Sequence, residues 1–449
     1  MSTAEATRIS TRSRSYERWL LFLLVLIYAS SMTDRILVAI VGPVLKREMG
    51  LSDFQLGLLS GLAFSIFYAT LGIPIGRLAE RYNRKLMISV SIVAWSLMTM
   101  LCGTAGSFAS MMVYRLGVGI GEAGSTPTSH SLLSDQFPPS KRATVYGIYA
   151  LGPAVGVFIG AFGGGTIAHL YGWRMAFYAF GFPGIILGLI AYFTLREPKR
   201  GNFDSIESKH VPALKEVLAA FVREKPFWQM SLGIVTTSIS IYGTFMFQSI
   251  YMGRTFGLNM QQAGLTLAIV NGVGAFVGGL IGGYGSDWMA KRDRRWYGWI
   301  PAVGSLLGIP FTIISFTSMN FAVSTVAMFL MATSLNVWNG PSFSVIHSRL
   351  EPRMRATASA LVFLLMNLVG QGLGPAWVGW MSDRFAANIF TGSGDYAAAC
   401  KAPIADAVAA SCHVAGTQGL RYAMIAPIIM VAIATWSFFA AARSIGRSK

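Results

Sequence analysis

Four residues of this chain combine chemical reactivity with an improbable setting: Asp34, Arg35, Arg115 and Glu122. Asp34 and Arg35 adjoin in SMTDRILVAI, inside a run from Trp19 to Leu45 that is otherwise apolar or small, and Arg115 and Glu122 share YRLGVGIGEAG. A charge near the centre of a bilayer costs roughly 2.5 to 3.5 kcal/mol on insertion scales, so it normally faces a cavity, has a partner and has a task. A carboxylate beside a guanidinium in such a place can take up and release a proton. Desolvation disfavours the charged acid and a nearby cation favours it, so a cavity that opens and closes around the pair changes its protonation. A guanidinium can also hold an anionic head group. Arg115 and Glu122 are seven residues apart, which returns them to within about 20° on one helix face and separates them by roughly 10 Å along it. Counted inward from the ends of their runs, Asp34 and Arg115 lie at nearly the same depth, and these two are expected to pair across the helices. Gly117, Gly119, Gly121 and Gly124 line the same stripe and permit close approach by a neighbouring helix. Asp34 and Glu122 are therefore the expected proton-coupling residues, and Arg35 and Arg115 their charge partners and head-group ligands. Which acid titrates first is open.

The elements that hold these residues follow from composition. The chain has 449 residues, 53% hydrophobic and 12% charged, with 49 glycines and a mean hydropathy of +0.54, so its solvent is lipid. A bilayer span needs about 20 mostly apolar residues. Twelve such runs lie near 19–45, 54–76, 86–107, 109–134, 143–168, 174–195, 227–252, 261–285, 297–317, 320–346, 356–382 and 418–442. Backbone groups in hydrocarbon must be satisfied internally, so the runs are predicted to be helices. The net charge of +17 raises the question of nucleic acid. With the N-terminus placed inside, the even-numbered connections and both tails hold 27 of the 36 Lys and Arg residues, and the odd-numbered connections hold 7. That asymmetry is the positive-inside pattern: both termini are expected in the cytoplasm, the basic excess meets anionic lipid, and no nucleic-acid partner is called for. Residues 1–18 form an Arg-rich cytoplasmic tail, read as disordered, with no apolar core of its own, so no cleavable signal peptide is expected. Residues 443–449 form the other tail. Cys400 and Cys412 share a long outer loop, 384–417, and a disulfide is expected between them because that loop faces an oxidising space.

The chain is weakly duplicated. PPSKRAT (138–144) and EPRMRAT (351–357) each open a long apolar run, and GRLAERYNRK (76–85) and GYGSDWMAKR (283–292) each follow the second span of a half. An N-terminal half, 19–195, and a C-terminal half, 226–442, joined by a cytoplasmic linker, 196–225, account for this pattern. A substrate site in such a carrier lies near the midplane between the halves. The offsets of 207 and 213 carry Asp34, Arg35, Arg115 and Glu122 onto Ile241, Tyr242, Met328 and Leu335, so the second half keeps none of the charges. It offers instead Tyr242, Phe245, Gln248, Asn271, Asn336, Trp338, Asn339, Asn367 and Gln371 as candidate cavity residues. Ions on one wall and aromatic and amide groups on the other suit an amphiphile. Gly152, Pro153 and Gly156, and Gly374, Pro375 and Gly379, are expected to bend the fifth and eleventh spans.

The pattern G-x-x-x-[DE]-R-x-x-R-K after span two, R-x-x-x-G-x-G at Arg115, Gly119 and Gly121, and the weaker second copy of the loop resemble the major facilitator superfamily. TDR in span one, ERYNRK, and YRLGVGIGEAGSTPTSHSLLSDQFP resemble, more narrowly, the Spinster-like lipid transporters. Glu80 stands where the superfamily loop usually has Asp, and Asn83 where it usually has Gly. The resemblance implies an all-α membrane protein of twelve transmembrane helices in two pseudo-symmetric halves. It also implies that Gly76, Glu80, Arg81 and Arg84, with Asp287, Lys291 and Arg292, form a cytoplasmic latch that favours the outward-open state. The expected function is a proton-coupled secondary transporter working by alternating access in the cell membrane, as a monomer, on a lysophospholipid or sphingoid-phosphate type of amphiphile. A small organic or aromatic carboxylate is the alternative substrate, and a non-transporting membrane sensor the alternative role. No phosphate-binding loop of the form G-x-x-x-x-G-K-[ST], no H-E-x-x-H and no G-x-S-x-G occurs, so neither an ATP-driven pump nor an enzyme is expected. No metal or organic cofactor is called for, the proton being the coupling ion.

Overall fold

Apolar runs of membrane length satisfy their own backbone as helices, and the computed structural model of the chain is helical throughout, with no strand among the described residues. These are residues 3–79, 81–198, 219, 221–350, 354–400 and 406–446. Among the described residues the helices group into twelve successive passes. In the first half they are α1 (Thr3–Met49), α2 (Asp53–Ser60 and Leu62–Ala79), α3 (Arg84–Cys102), α4 (Phe108–Glu122 and Ser125–Gln136), α5 (Pro139–Tyr149, Leu151–Phe158 and Gly164–Tyr171) and α6 (Trp173–Thr194). In the second half they are α7 (Lys225–Phe256), α8 (Met260–Leu267 and Gly274–Ala290), α9 (Trp296–Thr317), α10 (Phe321–Leu335 and Asn339–Ser348), α11 (Arg355–Leu365 and Gly374–Ile389) and α12 (Asp406–Ile425 and Ile428–Ile445). Among the described residues eleven helices are apolar and long enough to cross a membrane. The twelfth pass is α4, which breaks at Ala123 and Gly124, directly after Glu122.

Two expected boundaries shift. No Gly or Pro lies between Thr3 and Trp19 to stop a helix, so α1 runs back through most of the predicted tail to Thr3. The predicted outer loop 384–417 is mostly helix, because α11 continues to Ile389 and α12 starts at Asp406. Those extensions are alanine-rich but polar, and hydropathy sees only the part of a helix that lies in lipid. The connection holds the expected disulfide, Cys400 to Cys412, with Cα atoms 5.5 Å apart. Most of the linker 196–225 falls outside the described residues.

Within each half the helices pack as bundles, α3 against α4 and α6, α1 against α5, α9 against α10 and α12, and α7 against α12. The offset of 213 carries Gly124 onto Val337, and α10 breaks between Leu335 and Asn339. The fourth pass of each half is thus interrupted at the same place. Three π-helical turns, Ile159–Gly163 in α5, Ala268–Val273 in α8 and Met366–Leu373 in α11, lie on helices that join the halves. The Gly-Pro elements flank two of them, with Pro153 just before the turn in α5 and Pro375 just after that in α11. Such turns loosen the helix ladder where a bend is needed.

The halves meet along α2 with α11, α5 with α8, and α1 with α7. The contacts concentrate at one end of the bundle, the end away from both termini, called the distal end below. A Cβ on Gly57 of α2 would stand 2.3 Å from the carbonyl oxygen of Pro375 in α11, and one on Gly264 of α8 would stand 2.2 Å from that of Ala161 in α5. Only glycine allows these backbones so close. The distal end is closed by direct backbone packing, and among the described residues the packing between the halves lies at that end and midway along the helices, which leaves a cleft on the side of the termini.

Candidate functional site

Asp34 and Arg35 sit at the middle of α1, and successive residues on a helix point about 100° apart. That turn separates their roles. Arg35 faces the cleft, its side chain 11% exposed, and forms an ion pair with Glu122 of α4, Nη2 to Oε2 at 2.7 Å. Its Nε also donates to Glu122 Oε2 at 2.8 Å, and Ser31, one turn earlier on α1, donates to the same oxygen at 2.6 Å. The guanidinium lies 4.4 Å from the ring centroids of both Phe64 and Tyr68 of α2. These rings are one helical turn apart and stack at 5.1 Å. Arg35 is therefore fixed by a carboxylate at its edge and by two aromatic rings. Cation–π contact of this kind contributes up to about 2 kcal/mol when desolvated.

Asp34 turns the other way, into the first half, and is fully buried. Its carboxylate lies beside the Thr99 hydroxyl and the Trp95 indole N–H of α3, the side-chain donors in its reach. Arg115 is also buried, at 1% exposure. It meets Asp34 through the backbone, with Nη1 donating to the Asp34 carbonyl at 3.3 Å and Nε to that of Leu59 at 3.4 Å. The expected cross-helix pair is corrected accordingly. Depth along the helices places the two residues at one level, but the Asp34 side chain points past Arg115 towards α3. The side-chain ion pair at this level joins Arg35 to Glu122. Phe64 separates the two cations, 5.7 Å from the Arg115 guanidinium.

The opposite wall contributes Tyr242 of α7, within electrostatic reach of Arg35 and Tyr68. Tyr28 of α1 has the same neighbours together with Glu122, and stacks on Tyr149 of α5 at 4.8 Å. Phenols from α1, α2 and α7 thus surround the Arg35–Glu122 pair. Of these, sequence reading found only Tyr242. Phe64 and Tyr68 carry a usable signal, aromatic residues four apart on one face, whereas Tyr28, Ser31, Trp95 and Thr99 carry none above the apolar background.

The remaining predicted cavity residues divide into groups. Gln248 is buried and accepts from Asn271 Nδ2 at 2.8 Å, tying α7 to α8. Asn336 and Asn367 each donate to a carbonyl one turn back in their own helix, at 2.8 Å, and Asn339 donates to the Asn336 carbonyl at 3.4 Å. Trp338 is buried in the apolar core of the second half, Phe245 packs against the core at the seam, and Gln371 is buried in the π turn of α11. Much of the amide set therefore acts as interhelical or local glue.

Among the described residues, the expected latch residues at the terminal end show no bond across the halves. Arg84 is buried and bonds Asp135 at 2.5 Å and Glu197 at 2.7 Å, both in its own half. Asp287 accepts from Tyr297 of its own half at 2.9 Å. Arg292 lies 5.7 Å from the Trp288 ring, and Arg81, Lys291 and Arg292 are exposed. Glu80, and the surroundings of Gly76, lie outside the described residues.

Two six-helix halves, closed at one end around a buried ionic site, are matched in sequence by the profile of the Major Facilitator Superfamily over residues 24–375. The chain belongs to that superfamily. Within it, the structure superposes on a bacterial homologue of the human lysosomal transporter Spinster, in an inward-facing and unoccupied conformation. The TM-score is 0.89 and the identity 32%, over 96% of this chain and 97% of the other. An MFS-type efflux pump of Mycolicibacterium smegmatis is 28% identical over 82% of this chain and 84% of its own. The hexuronate transporter of Bacillus subtilis is 24% identical over 78% of this chain and 84% of its own. A superfamily member with this Spinster-like structure is a multi-pass membrane transporter and not an enzyme.

Proposed function

We propose that the protein is a proton-coupled secondary transporter that moves an organic anion by alternating access. The observation that carries the reading is the state of Arg35. This cation is part-exposed towards the cleft, lies against the stacked rings of Phe64 and Tyr68, and shares its inner edge with a single carboxylate. An incoming anion that takes Arg35 competes with Glu122. A carboxylate losing its cation in a closed cavity binds a proton more readily, so anion binding at Arg35 and proton binding at Glu122 favour one another. Asp34, behind the same turn of α1, is the second acid in the relay, and Arg115 braces the α1 backbone there rather than reaching the head group.

The substrate class that fits both walls is an amphiphile of the lysophospholipid or sphingoid-phosphate type. Its anionic head would lie on Arg35 and its tail along Tyr242 and the apolar wall of the second half. The resemblance of TDR, ERYNRK and the Arg115–Glu122 segment to the Spinster-like lipid transporters supports this choice. A small organic carboxylate is the second reading, supported by the similarity to a hexuronate transporter and by the sufficiency of Arg35 for any carboxylate. The distribution of basic residues supports a cell-membrane location with both termini in the cytoplasm, which makes the structure an inward-open one.

Purified protein in proteoliposomes tests the proposal. Glu122→Gln and Asp34→Asn should each abolish pH-gradient-driven transport while the protein stays folded, and unchanged coupling in both would overturn it. Competition of lysolipids against hexuronates and aromatic carboxylates for binding decides between the substrate classes.

A further inference from the structure

The distal ends of the helices carry a second buried charge cluster. Asp53, the first residue of α2, is 1% exposed. It pairs with Lys46 of α1 in its own half. From the other half, Arg254 of α7 donates to both its oxygens, at 3.2 and 3.3 Å, and Ser382 of α11 donates to Oδ2 at 2.7 Å. Asp383, next to Ser382, reaches back across the seam and accepts from the backbone N–H groups of Asp53 at 3.0 Å and Phe54 at 2.8 Å. These are orphan donors at the start of α2, where the helix dipole favours an anion. The bonding is reciprocal: an acid of each half is held by donors of the other. Arg254 also donates to the Gly416 carbonyl of α12 at 2.8 Å, and Tyr396 is the further titratable group in reach of the cluster.

We propose that Asp53, Arg254 and Asp383, assisted by Lys46 and Ser382, form the lock that holds the transporter shut at its distal end. A carrier that alternates must part α2 from α11 and α1 from α7 at this end, and every one of these cross-seam bonds lies on the parting surface. Asp53 is buried and its partners are part-buried in the closed state, so an opened seam leaves Asp53 with Lys46 alone and exposes Arg254 and Asp383 fully to water. The cluster sets how much of the protein stands closed at the distal end. Such a role explains why charges are buried far from the cleft, where they contact neither Arg35 nor Glu122. The inference rests on the alternating-access reading but on neither the substrate nor the proton assignment.

The test uses the full chain with nitroxide labels at Tyr171→Cys and Met319→Cys, exposed distal positions in different halves. A second pair at the terminal end, Tyr82→Cys and Tyr284→Cys, uses exposed sites as well. Electron–electron distance measurement on the distal pair should show a longer component whose share relative to the short one grows on the order of tenfold in Asp53→Asn. Arg254→Gln should do the same, and Ser382→Ala should do so less. The terminal pair should shorten in step, which identifies alternation itself. Terminal shortening without distal lengthening would keep alternation and overturn the lock. Unchanged distances at both ends in Asp53→Asn and Arg254→Gln would overturn it too. Loss of folding in both variants would make the cluster a folding element instead of a gate, and would equally overturn the proposal.

Discussion

The two halves share a backbone plan and divide the chemistry unequally. Both interrupt their fourth pass at corresponding residues, and the fifth and eleventh passes both carry a π turn beside a Gly-Pro element. Yet Asp34, Arg35, Arg115 and Glu122 in one half correspond to Ile241, Tyr242, Met328 and Leu335 in the other. Arg35 and its counterpart Tyr242 come within reach of one another across the cleft. This is what a pseudo-twofold axis does to a residue that faces it. Duplication thus supplies two walls of one cavity, and the difference between the halves makes one wall ionic and the other aromatic. In the proposed mechanism the charged wall fixes the head of a substrate and couples it to protons. A neutral wall tolerates varied tails and slides without breaking ion pairs.

The comparison breaks hardest if the ionic wall is removed. Glu122→Gln leaves Arg35 without its carboxylate, and uncoupling a buried pair costs about 3 to 5 kcal/mol. Proton-driven transport should fall more than about 100-fold by the same principle of an uncompensated buried charge, measured as uptake under an imposed pH gradient. Arg35→Lys keeps the charge but loses the planar fork that lies against Phe64 and Tyr68 and bonds Glu122. Anion affinity should weaken by roughly 10- to 100-fold, the loss of one bidentate, ring-stacked contact, read by equilibrium binding at constant pH. Affinity equal to wild type in Arg35→Lys would mean that charge alone, and not the aromatic clamp, recognises the substrate.

Most of the architecture was legible in the chain itself. Run lengths give the passes, glycine and proline mark the bends, and the charges within apolar runs mark the site, because a bilayer penalises each misplacement. What stayed hidden was azimuth. Depth along a helix follows from counting residues, so Asp34 and Arg115 were placed at one level. The direction of each side chain depends on how α1 is rotated against α3 and α4, which gave Glu122 to Arg35 and left Asp34 facing Trp95 and Thr99. The distal lock was hidden for a related reason. Lys46, Asp53, Arg254 and Asp383 lie at span ends, where charge is expected in any membrane protein. Only assembly shows them gathered around the buried Asp53. The amides of the second half misled in the opposite sense, since polarity in an apolar run marks helix-to-helix bonding as readily as it marks a cavity.

Two substitutions in the neutral half sharpen the contrast from the other side. Leu335→Glu places an acid at the position equivalent to Glu122, where Leu335 is buried and packs on Gly308 of α9. No arginine corresponds to Arg35 there, so the carboxyl group enters without a partner. Stability should drop by about 2 to 4 kcal/mol, the cost of a lone polar or charged group at this depth, seen as a lowered melting temperature. A Leu335→Glu protein that melts like wild type would show that the second half contains a cation or water path able to serve an acid.

The smallest effect is expected at Gln248→Leu. Gln248 is buried and its Oε1 accepts from Asn271 Nδ2, which also donates to the Leu267 carbonyl of its own helix at 3.3 Å. Interhelical bonds of this type average about 0.6 kcal/mol, since the amide finds another partner once one is removed. Asn271 retains the Leu267 carbonyl, so stability should change by no more than about 1 kcal/mol. Anion KM should stay within about twofold of wild type, because among the described residues no hydrogen bond or ion pair joins this pair to Arg35 and a KM change reports substrate binding. A tenfold rise in KM with an unchanged melting temperature would place substrate recognition on the amide wall, and the division of labour between the halves would then have to be redrawn around Gln248 and Asn271.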